Sequence, residues 1–243
     1  MAKICVVGIG PGDYGEMTVK AVNALNACDV IVGYPVYVDL VKPHFPDKQY
    51  FTTPMRREAE RCRLALKLAR EGQSVALICS GDAGIYGMAG LIFELRGEDE
   101  TVDIEVIGGL TAATSGACRL GAPLTHDFAA ISLSDLLTPW ERIEKRLDCA
   151  AAGDFVIVLY NPRSTKRRDC LQKACDIVLR HRLPETVCGA VRNIGRDGET
   201  VAVMTLREMW DYDADMFTTV FIGNSSTKVI AGRMVTPRGY RDV

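Results

Sequence analysis

Apolar residues in the first half of the chain gather in short runs rich in Val and Ile, at residues 3–8, 29–33, 75–79 and 102–107. All four predict strands, and the length and β-branched content of 75–79 suit a buried one. The stretches between them carry helical spacing. Residues 18–27 predict a helix capped by Thr18, and residues 35–42 a second. In residues 57–70, Ala59, Cys62, Leu66 and Ala69 recur at helical spacing, while Arg56, Arg57, Glu58 and Arg61 form the polar side. Residues 86–95 predict another helix, and a helix of small residues ends at Leu120.

Gly121-Ala122-Pro123 interrupts this alternation, and the domain boundary is expected between residues 122 and 123. The second half resumes with a strand at 129–133. Pro139 suits the first turn of a helix capped by Thr138, with Trp140, Ile143 and Leu147 on one face. A strongly apolar strand at 154–160 runs into Asn161-Pro162-Arg163-Ser164, and residues 166–182 predict a helix that buries Leu171, Ala174, Cys175 and Val178. Strands at 186–192 and 199–205 flank Gly195-Arg196-Asp197-Gly198, which reads as a hairpin. The last apolar strand is expected at 218–223, and the tail at 234–240 has no periodicity. The fold class is therefore α/β in two halves, residues 1–122 and 123–243, without an internal repeat.

The strand at 75–79 is followed by Ser80-Gly81-Asp82-Ala83-Gly84, and four glycines and one acid fall within residues 81–90. A strand, a glycine turn and a helix let backbone amides and a carboxylate approach a polar small molecule at the carboxyl end of a sheet. The alternative reading is a sharp connection and nothing more. Gly8-Ile9-Gly10-Pro11-Gly12-Asp13 forms a second such turn. It is superficially like a dinucleotide fingerprint. The third glycine of that fingerprint is missing, Pro11 stiffens the turn, and the next strand ends in Val32-Gly33-Tyr34 without the ribose-binding acid, which argues against NAD.

At 243 residues, 48% hydrophobic and 25% charged, the chain has the makeup of a globular enzyme, and its net charge of -2 disfavours nucleic acid or an anionic membrane as partner. Nine cysteines, an odd number with no C-x-x-C, mostly interrupt apolar runs and point to a reducing compartment, the cytoplasm, without a disulfide framework. The three histidines, His44, His126 and His181, are scattered away from any cysteine pair, so no metal site is expected. The amino terminus enters a strand directly and no run of about 18 apolar residues exists, so neither secretion nor membrane insertion is expected.

The turns at residues 8–13, 80–87 and 109–113, in that order and separation, resemble those of the tetrapyrrole methylases. Residues 80–90, residues 131–140 (Ile-Ser-Leu-Ser-Asp-Leu-Leu-Thr-Pro-Trp), the Tyr160-Asn161-Pro162-Arg163-Ser164 stretch and Thr236-Pro237-Arg238-Gly239-Tyr240 are similar to the branch of that family that methylates C-17 of precorrin-3B in cobalamin synthesis. The similarity covers essentially the whole chain. It implies the two-domain tetrapyrrole methylase fold, that of the class III S-adenosylmethionine-dependent methyltransferases, in a homodimer that binds S-adenosylmethionine between its domains. Many relatives carry Gly-Asp-Pro where this chain has Gly81-Asp82-Ala83, and alanine there resembles the C-17 branch. Some members add a carboxyl-terminal region with an iron-sulfur cluster, and the chain ends at Val243 without one, so no cluster is expected.

The reaction implied is transfer of a methyl group to C-17 of precorrin-3B or cobalt-factor III with contraction of the macrocycle. A short, cysteine-rich form favours the cobalt substrate. Pro11, Gly81, Asp82, Ile85, Tyr86, Thr111, Ala112, Asn161 and Thr218 are expected to line the cofactor pocket, with helix capping as the alternative role for Thr111 and Ala112. The carboxylates of the macrocycle call for guanidinium groups, for which Arg56, Arg57, Arg163 and Arg238 are the candidates. Ring contraction needs proton movement, and Asp135, Ser132 and His126 are the candidate acid-base groups. Asp135 could instead cap a turn, and His126 could serve the linker beside Asp127. Two alternatives stay open: a tetrapyrrole methylase acting at another carbon, and a tetrapyrrole carrier without turnover.

Overall fold

The computed structural model describes residues 2–98, 101–163 and 169–240. Backbone contacts divide the chain into two units, Met1–Thr111 and Ala112–Val243. In the first, strands β1 (Ala2–Gly8), β2 (Val30–Gly33), β3 (Gln49–Thr52), β4 (Val75–Cys79) and β5 (Val102–Ile107) alternate with helices α1 (Val19–Ala27), α2 (Pro35–Val41), α3 (Glu58–Arg70) and α4 (Ala89–Arg96). The sheet is parallel with strand order β3-β2-β4-β1-β5. Parallel strands covered on both faces read as continuous apolar runs, and every residue of β4 is buried. Period-2 alternation sends Ile4 and Val6 to one face, with Cys62, Leu66 and Ile92 of α3 and α4. Val7 and Ile9 face the other way, toward Ala21, Leu25, Val38 and Val41 of α1 and α2.

The second unit contains α5 (Ala112–Leu120), β6 (Gly121–Ala122), β7 (Phe128–Ser132), α6 (Trp140–Ala152), β8 (Val156–Tyr160), α7 (Cys170–Val178), β9 (Val187–Arg192), β10 (Thr200–Thr205), α8 (Leu206–Trp210), β11 (Thr218–Ile222), β12 (Lys228–Ile230) and β13 (Arg233–Val235). Its main sheet has strand order β10-β9-β11-β8-β7; β7 and β8 are parallel and the other pairs antiparallel. Ile143, Leu147, Leu171 and Val178 cover one face. Ala113, Ala117 and Leu120 of α5 cover the other, against Val158, Val191 and Phe221. A Cβ on Gly116 would stand 2.9 Å from the Phe221 ring, so the small residues of α5 serve close packing. That packing places α5 wholly in the second unit, one helix earlier than the boundary expected at residues 122 and 123.

Two further differences have local causes. Helix α4 begins at Ala89 and not at residue 86, because Tyr86 adopts φ 55° and Ala89 N–H reaches back to Ala83 O at 3.0 Å, prolonging the turn. Pro139 is the cap residue of α6 itself, in extended conformation, so Thr138 does not cap it. Ser164 and the expected helix start at residue 166 lie outside the described residues, and α7 is described from Cys170. The hairpin at 195–198 forms as expected, joining β9 and β10. No helix among the described residues is long and apolar enough to cross a membrane.

Candidate active site

All strands of the first sheet point one way, so the turns after β1, β4 and β5 gather at one edge. They meet backbone to backbone. Gly10 N–H donates to Gly81 O at 3.1 Å, and Gly81 N–H donates to Gly10 O at 2.7 Å. Both residues have positive φ, 75° and 68°, which glycine adopts without strain. A Cβ on Gly8 would lie 2.7 Å from both Gly109 N and Gly81 O, and one on Gly109 would strike the Gly8 backbone. The three turns can therefore touch only as glycines.

Asp82 ties them together. Its Oδ1 accepts from Gly84 N–H at 2.7 Å and Ile85 N–H at 3.1 Å, and its Oδ2 accepts from Gly109 N–H at 2.9 Å. The carboxylate expected to face a ligand is committed to the backbone of its own turn and of the turn after β5. Around this knot Pro11 and Thr111 are buried, whereas the apolar side chains of Ile85, Tyr86 and Leu110 are 43%, 54% and 42% exposed. Exposed apolar side chains beside ordered backbone groups at a strand-end edge suit a ligand with an apolar body and a few polar atoms.

In the second unit the carboxyl ends of β7, β8 and β9 share an edge with the start of β11, where Arg192 pairs in register with Thr218. Tyr160 Oη accepts from Ala113 N–H at 2.9 Å, which fixes the first turn of α5 beside Ala112. Asn161, at φ 54°, donates from Nδ2 to Ser132 Oγ at 3.0 Å. Ser132 Oγ also accepts from Ser134 N–H at 3.2 Å. Thr218 is buried and donates to Asp215 Oδ1 at 2.8 Å; Asp215 in turn pairs with Arg192 at 3.4 Å. Asp135 and His126 are exposed.

The arginine candidates are accessible. Arg56 is exposed at φ 66°, and Arg57 is exposed with Nε 3.8 Å from Glu60. Arg163 pairs with Asp213, and Arg238 donates to Thr125 O at 3.1 Å. Arg61 was expected on the polar side of its helix and is buried instead, 3% exposed. The overlooked signal is its spacing to Ala65 and Leu68, both buried on α3. Arg192 and the Tyr160 hydroxyl, at the ends of β9 and β8, join the candidates through their pairing with Asp215 and Ala113. Among the described residues no group of three or more His, Cys, Asp or Glu is placed to hold a metal ion.

Residues 3–209 match the model of the tetrapyrrole (corrin/porphyrin) methylases. A Salmonella typhimurium protein named probable cobalt-factor III C(17)-methyltransferase is 49% identical over 98% of this chain and 99% of its own length. A Priestia megaterium protein named cobalt-factor III methyltransferase is 44% identical, over 98% of this chain and 45% of its own length. Among solved structures, the methyltransferase CobJ superposes with a TM-score of 0.90 at 35% identity, covering 98% of this chain and all of that one. The strand-end glycine turns, a family match over most of the sequence and this shared fold agree, and the chain belongs to the tetrapyrrole (corrin/porphyrin) methylases.

Proposed function

We propose that this methyltransferase moves a methyl group from S-adenosylmethionine to C-17 of cobalt-factor III, with contraction of the macrocycle, in cobalamin synthesis. The observation that carries the reading is the 49% identity, end to end, with a relative named for that reaction. A second relative named for cobalt-factor III, at 44%, supports the cobalt-bearing substrate over metal-free precorrin-3B.

The residues fit the methyl donor. In the first unit Pro11, Gly81, Asp82, Ile85, Tyr86 and Thr111 supply ordered backbone with exposed apolar side chains beside it; in the second, Ala112, Asn161 and Thr218 sit at strand ends or a helix start. Bound there, the donor supplies an electrophilic sulfonium methyl. The protein's task is then to hold the substrate carbon in line with that methyl and to exclude water, and positioning of this kind contributes roughly 7–11 kcal/mol. Rigid turns serve that task, since Asp82 holds the amides of Gly84, Ile85 and Gly109. Arg56, Arg57, Arg163 and Arg238 pair with substrate carboxylates, and in Arg163 the partner displaced is Asp213. Ser132, held by Asn161, is better ordered for proton handling than the exposed Asp135 or His126.

The test is anaerobic incubation of the purified protein with S-adenosylmethionine and cobalt-factor III, in parallel with precorrin-3B, followed by mass and absorption spectrum. A gain of one methyl with a spectral change on the cobalt substrate alone is expected. Turnover of precorrin-3B alone would reassign the substrate, and binding without methyl gain on either would move the function to another carbon or to a carrier.

A further inference from the structure

Arg61 is a cation that the mechanism above does not use. It lies 3% exposed in α3, and no described carboxylate pairs with it. Its Nη2 donates to Thr53 O and to Pro54 O, both at 3.0 Å, and its Nη1 lies 3.5 Å from Met88 Sδ. The guanidinium carbon sits 5.9 Å from the centre of the Tyr34 ring, and Nε is buried without a hydrogen-bond partner. Each of these neighbours follows the carboxyl end of a different strand. Tyr34 follows β2, Thr53 and Pro54 follow β3, and Met88 closes the turn after β4. In a parallel sheet that edge is where ligands bind.

Burying an unpaired guanidinium is costly, so a fold that keeps one gains something a neutral side chain would not supply. Two carbonyl bonds from one planar fork fix both the position and the angle of the segment they hold. That segment runs directly into Arg56 and Arg57, which are exposed, and its conformation is unusual, with Arg56 at φ 66°. The Met88 contact joins the same fork to the end of the glycine turn.

We propose that Arg61 is a positioning residue for substrate recognition: its guanidinium fork anchors residues 53–57 and so aims Arg56 and Arg57 at carboxylates of the anionic tetrapyrrole. The proposal rests on the C-17 methyl-transfer reading and adds to it a residue that touches neither substrate nor donor. A lysine keeps the charge and loses the fork; glutamine loses both.

Arg61→Lys and Arg61→Gln are therefore compared with the wild type in two measurements. In steady-state turnover, loss of one charge-assisted bond to the segment in Arg61→Lys is expected to raise the tetrapyrrole KM ~10-fold, and loss of both in Arg61→Gln at least as much, with kcat and the Kd for S-adenosylhomocysteine unchanged. In limited trypsin digestion, cleavage after Arg56 and Arg57 is expected to accelerate in both variants, because a protease needs a locally opened chain. Wild-type KM and wild-type digestion in Arg61→Lys would overturn the proposal, as would a parallel loss of kcat and donor affinity, which marks general disruption. If the wild type methylates neither tetrapyrrole, the reading of function falls, and unchanged digestion still refutes the anchor. Should Arg61→Gln not fold, Arg61→Lys alone decides.

Discussion

Glu105 lies between two lysines, with Lys20 Nζ 2.6 Å from Oε1 and Lys3 Nζ 2.8 Å from Oε2. The hydrogen bonds from Lys20 and Lys3 hold its carboxyl down to about 2, from an ordinary 4.5. A carboxylate depressed in the folded state adds stability above its unfolded pKa and loses it as pH falls through the folded one. Glu105→Gln is thus expected to lower stability slightly at pH 7, since the lysines are exposed, and to match the wild type near pH 2; urea titrations at both pH values measure it. A difference that stayed constant down to that pH would assign the effect to packing. Asp82 is a different case, because three backbone amides depend on it. Asp82→Ala removes the acceptor of all three, the exposed Gly84 and Ile85 amides turning to water and the half-buried Gly109 amide losing its partner, and is expected to cost about 1–3 kcal/mol in the same titration. A loss below ~1 kcal/mol would mean that solvent replaces the carboxylate easily.

Elements differed in how far the sequence disclosed them, and burial explains why. Strands β2 and β4 are readable because a parallel strand covered on both faces must be apolar throughout, and the edge strand β5 because Val102, Ile104 and Val106 alternate with Asp103 and Glu105. Strand β3 escaped notice because it is an edge strand with three of four residues exposed, and β12 is exposed along its whole length. Two-residue β6 pairs with β13 and has no periodicity to detect. At the site, the sequence shows that glycines cluster and that Arg61 shares a helical face with Ala65 and Leu68, but not that the glycines let three turns touch, nor that the guanidinium meets Thr53, Pro54 and Met88. Those facts depend on contacts between distant segments. Helix α5 supplies a test at this scale, since Ala113 N–H in its first turn donates to Tyr160 Oη at the end of β8. Tyr160→Phe keeps the ring and removes that bond, so a loss of ~1 kcal/mol is expected. Weaker binding of S-adenosylhomocysteine, measured by calorimetry, should accompany it, because Ala112 opens the same turn. Unchanged affinity would place the donor away from the start of α5.

The two units each own a core, and the cysteines report on both. Cys28, Cys62 and Cys79 are buried in the first unit, and Cys170, Cys175 and Cys188 in the second, while Cys118 and Cys149 are exposed. Burial pushes the Cys28 and Cys79 thiols up to about 11 and those of Cys62 and Cys175 up to about 12, so few are thiolate at neutral pH even when reached by a reagent. Iodoacetamide at pH 8 is therefore expected to modify Cys118 and Cys149 first in the native protein, and all nine after unfolding. Within the first unit, Cys28 lies on one face of the sheet and Cys62 and Cys79 on the other. Both faces depend on the same five strands, and neither helical layer can keep its core once the sheet has parted. Labelling at increasing urea, read site by site by mass spectrometry, should therefore show Cys28, Cys62 and Cys79 becoming reactive at one urea concentration. A separate, lower midpoint for Cys28 would mean that α1 and α2 leave the sheet before α3 and α4, and that the unit does not unfold as one cooperative body.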